Sequence, residues 1–243
     1  MRVALISDLH GNLPALEAVL AELEHEQFDE LVCLGDVAVG PQPGETLRRV
    51  QALGCPVVMG NWDAWFLSQL PSHSDELTRK LVETGAWSAE QLSPADREYM
   101  QTFQRQLELP LDGTTTLLCV HGSPRSNEDF ILATTPDESL AQMLEGWRGP
   151  VMAAGHTHFQ MLRRHGELVL VNPGSVGLPF RRPDADQVMR IGRWAEYGLI
   201  GLDDGRLTVE LRRTLFDVDD FLRAALKSGM PHAEWWVGTW REE

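Results

Sequence analysis

Short runs of mostly apolar residues recur along this chain, and they end alike, on a side chain bearing an oxygen or an imidazole. Residues 3–6 run into Ser7-Asp8-Leu9-His10, residues 30–34 into Gly35-Asp36, and residues 56–59 into Gly60-Asn61-Trp62-Asp63. Further on, residues 114–120 meet His121-Gly122-Ser123-Pro124, and residues 151–154 meet Gly155-His156-Thr157-His158. Runs of this length, bounded by glycine and Asp or Asn, read as buried strands. Between the first two, the apolar spacing becomes helical: Leu13, Leu16, Leu20 and Leu23 recur opposite Glu17, Glu22 and Glu24. Gly11-Asn12-Leu13-Pro14 supplies a turn, a capping Asn and an early Pro at the start of that helix. A second short helix is expected over residues 45–53. Strands alternating with helices predict a parallel arrangement whose carboxyl ends share one edge. Loops leaving such an edge are free to carry polar, chemically active side chains.

From residue 64 to about 106 the texture is helical, with Ser93-Pro94-Ala95-Asp96 as a capping-box-like start and no β pattern between residues 67 and 103. This segment is expected to be a helical cap inserted into the sheet domain. After the sheet pattern returns, Thr135-Pro136-Asp137-Glu138 opens a helix to about residue 145, and residues 159–164 and 167–171 predict a hairpin around His165-Gly166. The second hairpin strand delivers Asn172-Pro173-Gly174-Ser175. The expected domain organisation is one domain over 1–243, with the cap at about 64–106 and a β/helical extension at about 188–243. That extension holds two strands around Asp203-Asp204-Gly205, a helix over 218–227 stopped by Gly229, and a terminal cluster of Trp235, Trp236 and Trp240.

Composition narrows the setting. At 243 residues the chain can bury a core that needs no covalent staples. Its three cysteines, Cys33, Cys55 and Cys119, are odd in number and far apart, and they read as small core residues of a reducing compartment. No apolar run approaches a membrane span, and the apolar start meets Asp8 too soon for a secretion signal, so a soluble, cytoplasmic protein is expected. The net charge of −15 repels nucleic-acid backbones and anionic membranes, so no long nucleic acid and no membrane is expected as a partner. A small anionic substrate needs a local positive site, which divalent metal ions would supply.

The polar residues at the strand ends form one set: Asp8, His10, Asp36, Asn61, His121, His156 and His158. Taken singly, each has a structural alternative. Asp36 after glycine suits a turn, Asn61 after glycine tolerates a left-handed backbone, and His121 before glycine can bond locally. Taken together they are seven oxygen or nitrogen ligands and no thiolate. Such a set suits two ions of Mn²⁺, Fe²⁺ or Zn²⁺ with open positions for water and argues against a closed structural zinc. A carboxylate bridges two ions by giving each an oxygen, and Asp36 is the candidate bridge.

In this order and on these strand ends, Asp8-x-His10, Gly35-Asp36, Gly60-Asn61-x-Asp63, His121-Gly122 and Gly155-His156-Thr157-His158 resemble the calcineurin-like dinuclear metallophosphoesterases. Asn172-Pro173-Gly174-Ser175 further resembles their small prokaryotic phosphodiesterase branch. The resemblance covers roughly residues 1–63 and 114–180. It implies an α/β fold of four layers, two facing β-sheets flanked by helices, with the site on loops at one edge. It also implies that Asp8, His10 and His158 hold one metal, that Asn61, His121 and His156 hold the other, and that Asp36 belongs to both. Asp36, Asn61 and His121 are thereby the residues closest to the chemistry. The implied activity is a metal-dependent phosphoesterase, with Mn²⁺ the favoured ion, in which a water shared by two ions ~3.5–4 Å apart is activated to attack phosphorus in line. Two divalent ions against Asp8, Asp36 and a hydroxide leave one positive charge for the phosphate.

One position departs from the family pattern. Where many members have His and the phosphodiesterase branch often has Cys, this chain has Trp62, whose indole N–H has no useful acidity. Trp62 either stacks on the substrate or packs under the cap. Asp63 is expected either to orient a metal-bound histidine or to cap a helix. Arg125, Arg181 and Arg182 follow motif segments and are candidates for phosphate contact, against the alternative of solvated surface arginines. His25, His73, His165 and His232 fit no motif and read as surface residues, and the tail tryptophans read as core or an oligomer contact. The favoured substrate is a small phosphodiester of nucleotide or cyclic-nucleotide type. The alternatives are a phosphomonoesterase acting on nucleotides or proteins, and a non-catalytic scaffold that keeps the fold; oligomeric state is not legible.

Overall fold

Strand β1 (Arg2–Ile6) is buried on both faces: Val3 and Leu5 join one apolar cluster while Ala4 and Ile6 join another. A strand with two apolar faces lies between layers. In the computed structural model, which describes residues 1–72, 75–181 and 190–240, β1 is an inner strand of the first of two main sheets.

Helix α1 (Leu13–Leu23) follows, capped by the Asn12 side chain, which accepts the Ala15 N–H at 3.1 Å. Then come β2 (Glu30–Cys33), α2 (Pro43–Leu53), and the three helices of the expected cap, α3 (Asn61–Leu67), α4 (Glu76–Glu90) and α5 (Pro94–Met100). The sheet pattern resumes with β3 (Leu107–Pro110) and β4 (Thr116–Val120), followed by α6 (Asp137–Met143) and β5 (Val151–Ala154). The hairpin β6 (Met161–His165) and β7 (Leu168–Asn172) turns at His165-Gly166 as its sequence requires. The short pair β8 (Phe180–Arg181) and β9 (Arg190–Ile191) precedes a long hairpin, β10 (Ala195–Asp203) and β11 (Arg206–Thr214). Helices α7 (Val218–Lys227) and α8 (Ala233–Gly238) end the described chain.

The first sheet has the order β11-β10-β1-β2 and the second β3-β4-β5-β7-β6. Pairing is parallel between β1 and β2 and among β4, β5 and β7, which sends the carboxyl ends of β1, β2, β4 and β5 to one edge. Val3, Leu5, Val32 and Leu34 of the first sheet meet Leu117, Cys119, Val151 and Val171 of the second in the central core. The outer face of the first sheet is covered by α1 and α2, and that of the second by α6. The arrangement is the expected pair of facing sheets flanked by helices.

Two local expectations change. Residues 56–59 do not form a strand; Val57 and Val58 make only isolated bridges, to Cys33 and Gln104. Pro56 removes a ladder donor at one end and Gly60 turns the chain at the other, leaving too short a stretch for a ladder. Conversely, β3 was hidden in Leu-Glu-Leu-Pro, too brief an alternation to register, and is fixed by antiparallel pairing with β4. His73, Arg182 and residues 188–189 and 241–243 lie outside the described residues.

Candidate metal centre

Five of the proposed ligands occupy a backbone region that side chains usually avoid. Asp8, His10, Asp36, His156 and His158 have φ of 53°, 47°, 53°, 67° and 60°. Left-handed non-glycine residues are uncommon, and clusters of them persist where surrounding structure enforces them, typically at functional sites. The enforcement is visible. Asp8, His10 and Gly11 donate their N–H groups to the carbonyls of Gly35, Asp36 and Val37, at 2.9 to 3.0 Å, which ties the first loop to the second. Ser175 Oγ donates to the Asp8 carbonyl at 2.7 Å, and Asn172 Nδ2 donates to the Gly155 carbonyl at 2.7 Å. The Asn-Pro-Gly-Ser segment therefore braces the loops that carry Asp8 and His156.

Each of the two carboxylates has one oxygen occupied and one turned toward the imidazoles. Asp8 Oδ2 accepts from Ser7 Oγ at 2.6 Å and from the His156 N–H at 3.0 Å, whereas buried Oδ1 has no hydrogen-bond partner. Asp36 Oδ1 accepts the Trp62 N–H at 2.9 Å, leaving Oδ2 at 3.5 Å from His121 Nε2 and 3.9 Å from His10 Nε2. A methyl group on residue 60 would come within 2.1 Å of Asp36 Oδ1, so this approach requires Gly60. Asp36 thus presents one oxygen to both groups of imidazoles, rather than one oxygen to each.

The side chains gather as two triads, Asp8-His10-His158 and Asp36-His121-His156, each with ligand atoms within 4.8 Å of one another. Asn61, at the start of α3, places Oδ1 3.1 Å from His121 Nε2. Nδ1 of His121 lies 2.7 Å from the Leu34 carbonyl, and Nδ1 of His158 lies 2.7 Å from that of Leu178. Each Nδ1 is thereby a donor, and each Nε2 is directed inward toward the carboxylates.

Burial and neighbouring charge divide these groups. Burial works to raise the Asp8 and Asp36 carboxyls, but His158 beside the first and His121 beside the second hold both below the ordinary carboxylate range. Burial works to lower the His121 imidazole, yet Asp36 and Asp8 push it up to about 9. Burial, reinforced by His158, depresses His10 to about 4, and burial with His121 depresses His156 to about 4. His10 Nε2 and His158 Nε2 face each other at 3.0 Å, and His156 Nε2 is buried without a partner. Orphaned buried Asp8 Oδ1 and His156 Nε2, with two imidazole nitrogens in contact, fit divalent cations better than any hydrogen-bond arrangement.

The remaining candidates separate. Asp63 touches no histidine: it accepts the N–H groups of Asp36, Val37 and Gly60 at 2.8, 3.1 and 3.1 Å, so it fixes the Asp36 loop against α3. Trp62 both packs under the cap and lines the cavity above the triads; a methyl at residue 85 of α4 would sit 2.2 Å from its ring. Arg125 is not brought to the cavity, because its guanidinium pairs with Asp129, at 2.6 and 3.0 Å. Arg181 lines an adjoining open cleft with Trp194, Glu196 and Arg213; its neighbour Phe180 lines both that cleft and the cavity at the site. His165 pairs with Asp137, and His232 with Glu83 of the cap. Trp240 is core, as expected, but Trp236 reaches the cavity wall. The sequence reading missed that role and those of Trp65, Phe130 and Phe180, since isolated aromatics in loops carry no periodic signal.

A family model for the calcineurin-like phosphoesterase superfamily domain matches residues 1–191, and the chain belongs to that superfamily. It is a metal-dependent phosphoric ester hydrolase that uses divalent metal ions. A metallophosphoesterase from Sphaerobacter thermophilus, known as a crystal structure, superposes with a TM-score of 0.74 at 27% identity, over 98% of this chain and 97% of its own. An uncharacterised protein of Methanocaldococcus jannaschii is 24% identical over 254 residues, spanning 97% of this chain and 95% of its own. The phosphodiesterase YfcE of Escherichia coli K12 is 26% identical over 214 residues, 84% of this chain and 89% of its own.

Proposed function

We propose that the protein hydrolyses small phosphodiesters, of nucleotide or cyclic-nucleotide type, at a centre of two divalent ions held by Asp8, His10, Asp36, Asn61, His121, His156 and His158. The observation that carries this reading is the pair of buried triads that face each other across Asp36 Oδ2, with unpartnered ligand atoms in each. When bound, divalent ions would supply Lewis acidity to activate water and neutralise phosphate oxygens, and Mn²⁺ suits the oxygen and imidazole donors. The chain's own residues hold the ligands rigid: Asn172, Ser175 and Asp63 act on loops, and the Leu34 and Leu178 carbonyls act on rings. A diester, with a single negative charge, suits a cavity with no lysine or arginine among its described lining residues, and the E. coli relative is named a phosphodiesterase.

The reading extends to the setting. The acidic surface disfavours long nucleic acids, no helix among the described residues is long and apolar enough to cross a membrane, and three free cysteines suit a cytoplasmic location. We take residues 1–243 as one domain in which α3 to α5 form the cap and the chain beyond about residue 188 an extension. The test is turnover of bis(p-nitrophenyl) phosphate against p-nitrophenyl phosphate by protein loaded with Mn²⁺, Fe²⁺ or Zn²⁺. The diester should be the better substrate by kcat/KM, with Mn²⁺ the best ion. Preference for the monoester would favour the phosphatase alternative, and no turnover of either with metals bound would favour a scaffold.

A further inference from the structure

The cavity above the triads has a volume of about 330 Å³, and its walls are aromatic. Small-molecule sites run ~300–1,000 Å³, so this one suits a single ring-bearing group better than a polymer. Two rings grow directly out of the metal centre. Phe180 stacks on His158, with centroids 4.5 Å apart and planes 20° apart, and Phe130 lies 4.3 Å from His156. Phe130 is 58% exposed, so among the described residues it carries an open apolar surface beside the centre. Trp62 and Trp65 meet edge to face at 4.9 Å, and Trp236 of the C-terminal helix adds to the wall. Trp65 is held by Glu128, whose Oε1 accepts the indole N–H at 3.2 Å.

Charge is as informative as shape. Among the described lining residues, Glu128 and Asp36 are acidic and none is lysine or arginine. Metal ions at the centre would neutralise one phosphate; a second or third phosphate would meet aromatic rings and Glu128 with no counter-charge among the described lining residues. We infer that the site takes a phosphodiester with one phosphate and, on the side of phosphorus kept after cleavage, one flat, uncharged aromatic arm, a nucleoside, held against Phe130 and the Trp62-Trp65 pair, and that it discriminates against polyphosphate esters. This rests on the hydrolytic reading above and makes Phe130, Trp65 and Glu128 its specificity-determining residues.

Two esters with the same leaving group isolate the arm: thymidine 5′-(p-nitrophenyl phosphate) and methyl p-nitrophenyl phosphate. The thymidine ester should have the higher kcat/KM with Mn²⁺-loaded protein, and Phe130→Ala should lower the ratio of the two about 5-fold or more, as expected for one lost stacking contact. Phe130 is exposed enough that its loss should leave folding intact, and Trp65→Ala, checked for folding, supplies a second instance. A dinucleoside polyphosphate should be a poorer substrate than the thymidine ester, and Glu128→Lys should narrow that gap. Binding is read without catalysis from ¹⁵N-indole signals: adenosine, which has no phosphate, should shift those of Trp62 and Trp65, and ribose should not. Equal kcat/KM for the two esters with no adenosine shift, in protein that turns over the methyl ester, overturns the aromatic arm and leaves the hydrolytic reading standing. Adenosine shifts in metal-loaded protein that turns over neither ester would do the reverse. Faster cleavage of the polyphosphate would overturn the single-phosphate part.

Discussion

Asp63 accepts the backbone N–H of Asp36 at 2.8 Å, while Asp36 accepts that of Trp62, one residue before Asp63, at 2.9 Å. Each carboxylate thus fixes the backbone that presents the other, and two short segments from different strand ends become one unit. Asp63 makes three such bonds from a fully buried position, and burial together with the Asp36 charge pushes its carboxyl up to about 7.

Asp63→Asn keeps the shape but turns an N–H₂ group toward backbone donors. At least one of the three buried N–H groups then loses its acceptor, at ~1–3 kcal/mol. We expect a lower melting temperature and weaker metal binding, both measured on the purified variant. Unchanged melting with unchanged metal affinity would show that the Asp36 loop does not depend on residue 63.

Asp36→Asn acts at the centre itself. Its Oδ2 faces imidazoles of both triads, so an amide there weakens both ion positions. Metal content by elemental analysis should fall at two sites, and affinity should drop by more than the ~10–100-fold typical of losing an outer hydrogen-bond partner. A variant that kept two tightly bound ions and a normal rate would remove Asp36 from the role of bridge.

Chelation should abolish turnover, and Mn²⁺ should restore it, because the two triads hold ligands for the ions that would activate water and neutralise the phosphate. Full turnover in a preparation shown to be metal free would sink the metal-dependent reading.

How much of this was legible follows from what each residue's neighbours in sequence reveal. Asp8 and His10 are announced by an apolar strand that stops at a charged residue, and the same signal marks Asp36, Asn61, His121 and His156. Nothing in that pattern shows that Asp8, His10, Asp36 and His156, like His158, are left-handed, because the conformation is imposed by bonds between loops far apart in sequence, such as His10 to Asp36 and Ser175 to Asp8. The cap was legible as helix but not as core. Met100 and Phe103 are buried in the cluster with α1 and α2, and Gln104 exchanges backbone bonds with Val57 and Met59. Deleting residues 67–103 would therefore open the first sheet's helical face, which a reading of the segment as a detachable insert does not anticipate. Arg125 pairs with Asp129, four residues on in the same loop, a partner that its place after a motif did not announce.

The cap's grip on the site is tested more gently by Gly85→Ala. The added methyl meets the Trp62 ring at 2.2 Å, so either the ring or α4 moves. Overpacking of this kind costs ~1–3 kcal/mol. We expect a modest loss of stability by thermal unfolding, with a change in KM larger than any change in metal affinity, because Gly85 itself touches no ligand. A change in metal affinity with KM intact would reverse that assignment.

Trp62 offers the sharpest test of how the leaving group departs. Its ring lines the cavity beside Asn61 and Asp36, and its indole cannot protonate an alkoxide. General acid help is typically worth ~10²–10⁴-fold, so without it the rate should fall steeply as leaving-group pKa rises. Trp62→His should then raise turnover of alkyl phosphodiesters more than of nitrophenyl ones, since nitrophenolate leaves without a proton. The selective gain should reach ~10-fold, short of the full effect because the packing against Gly85, Trp65 and Phe66 is shaped for indole rather than for holding an imidazole in place. Removing a large half-buried ring also costs stability, up to ~3–5 kcal/mol for a fully buried one, so folding and metal loading are measured first. Equal rate changes for alkyl and nitrophenyl esters, in a variant that is folded and metal loaded, would mean that position 62 does not face the leaving group and that Trp62 serves only the aromatic wall.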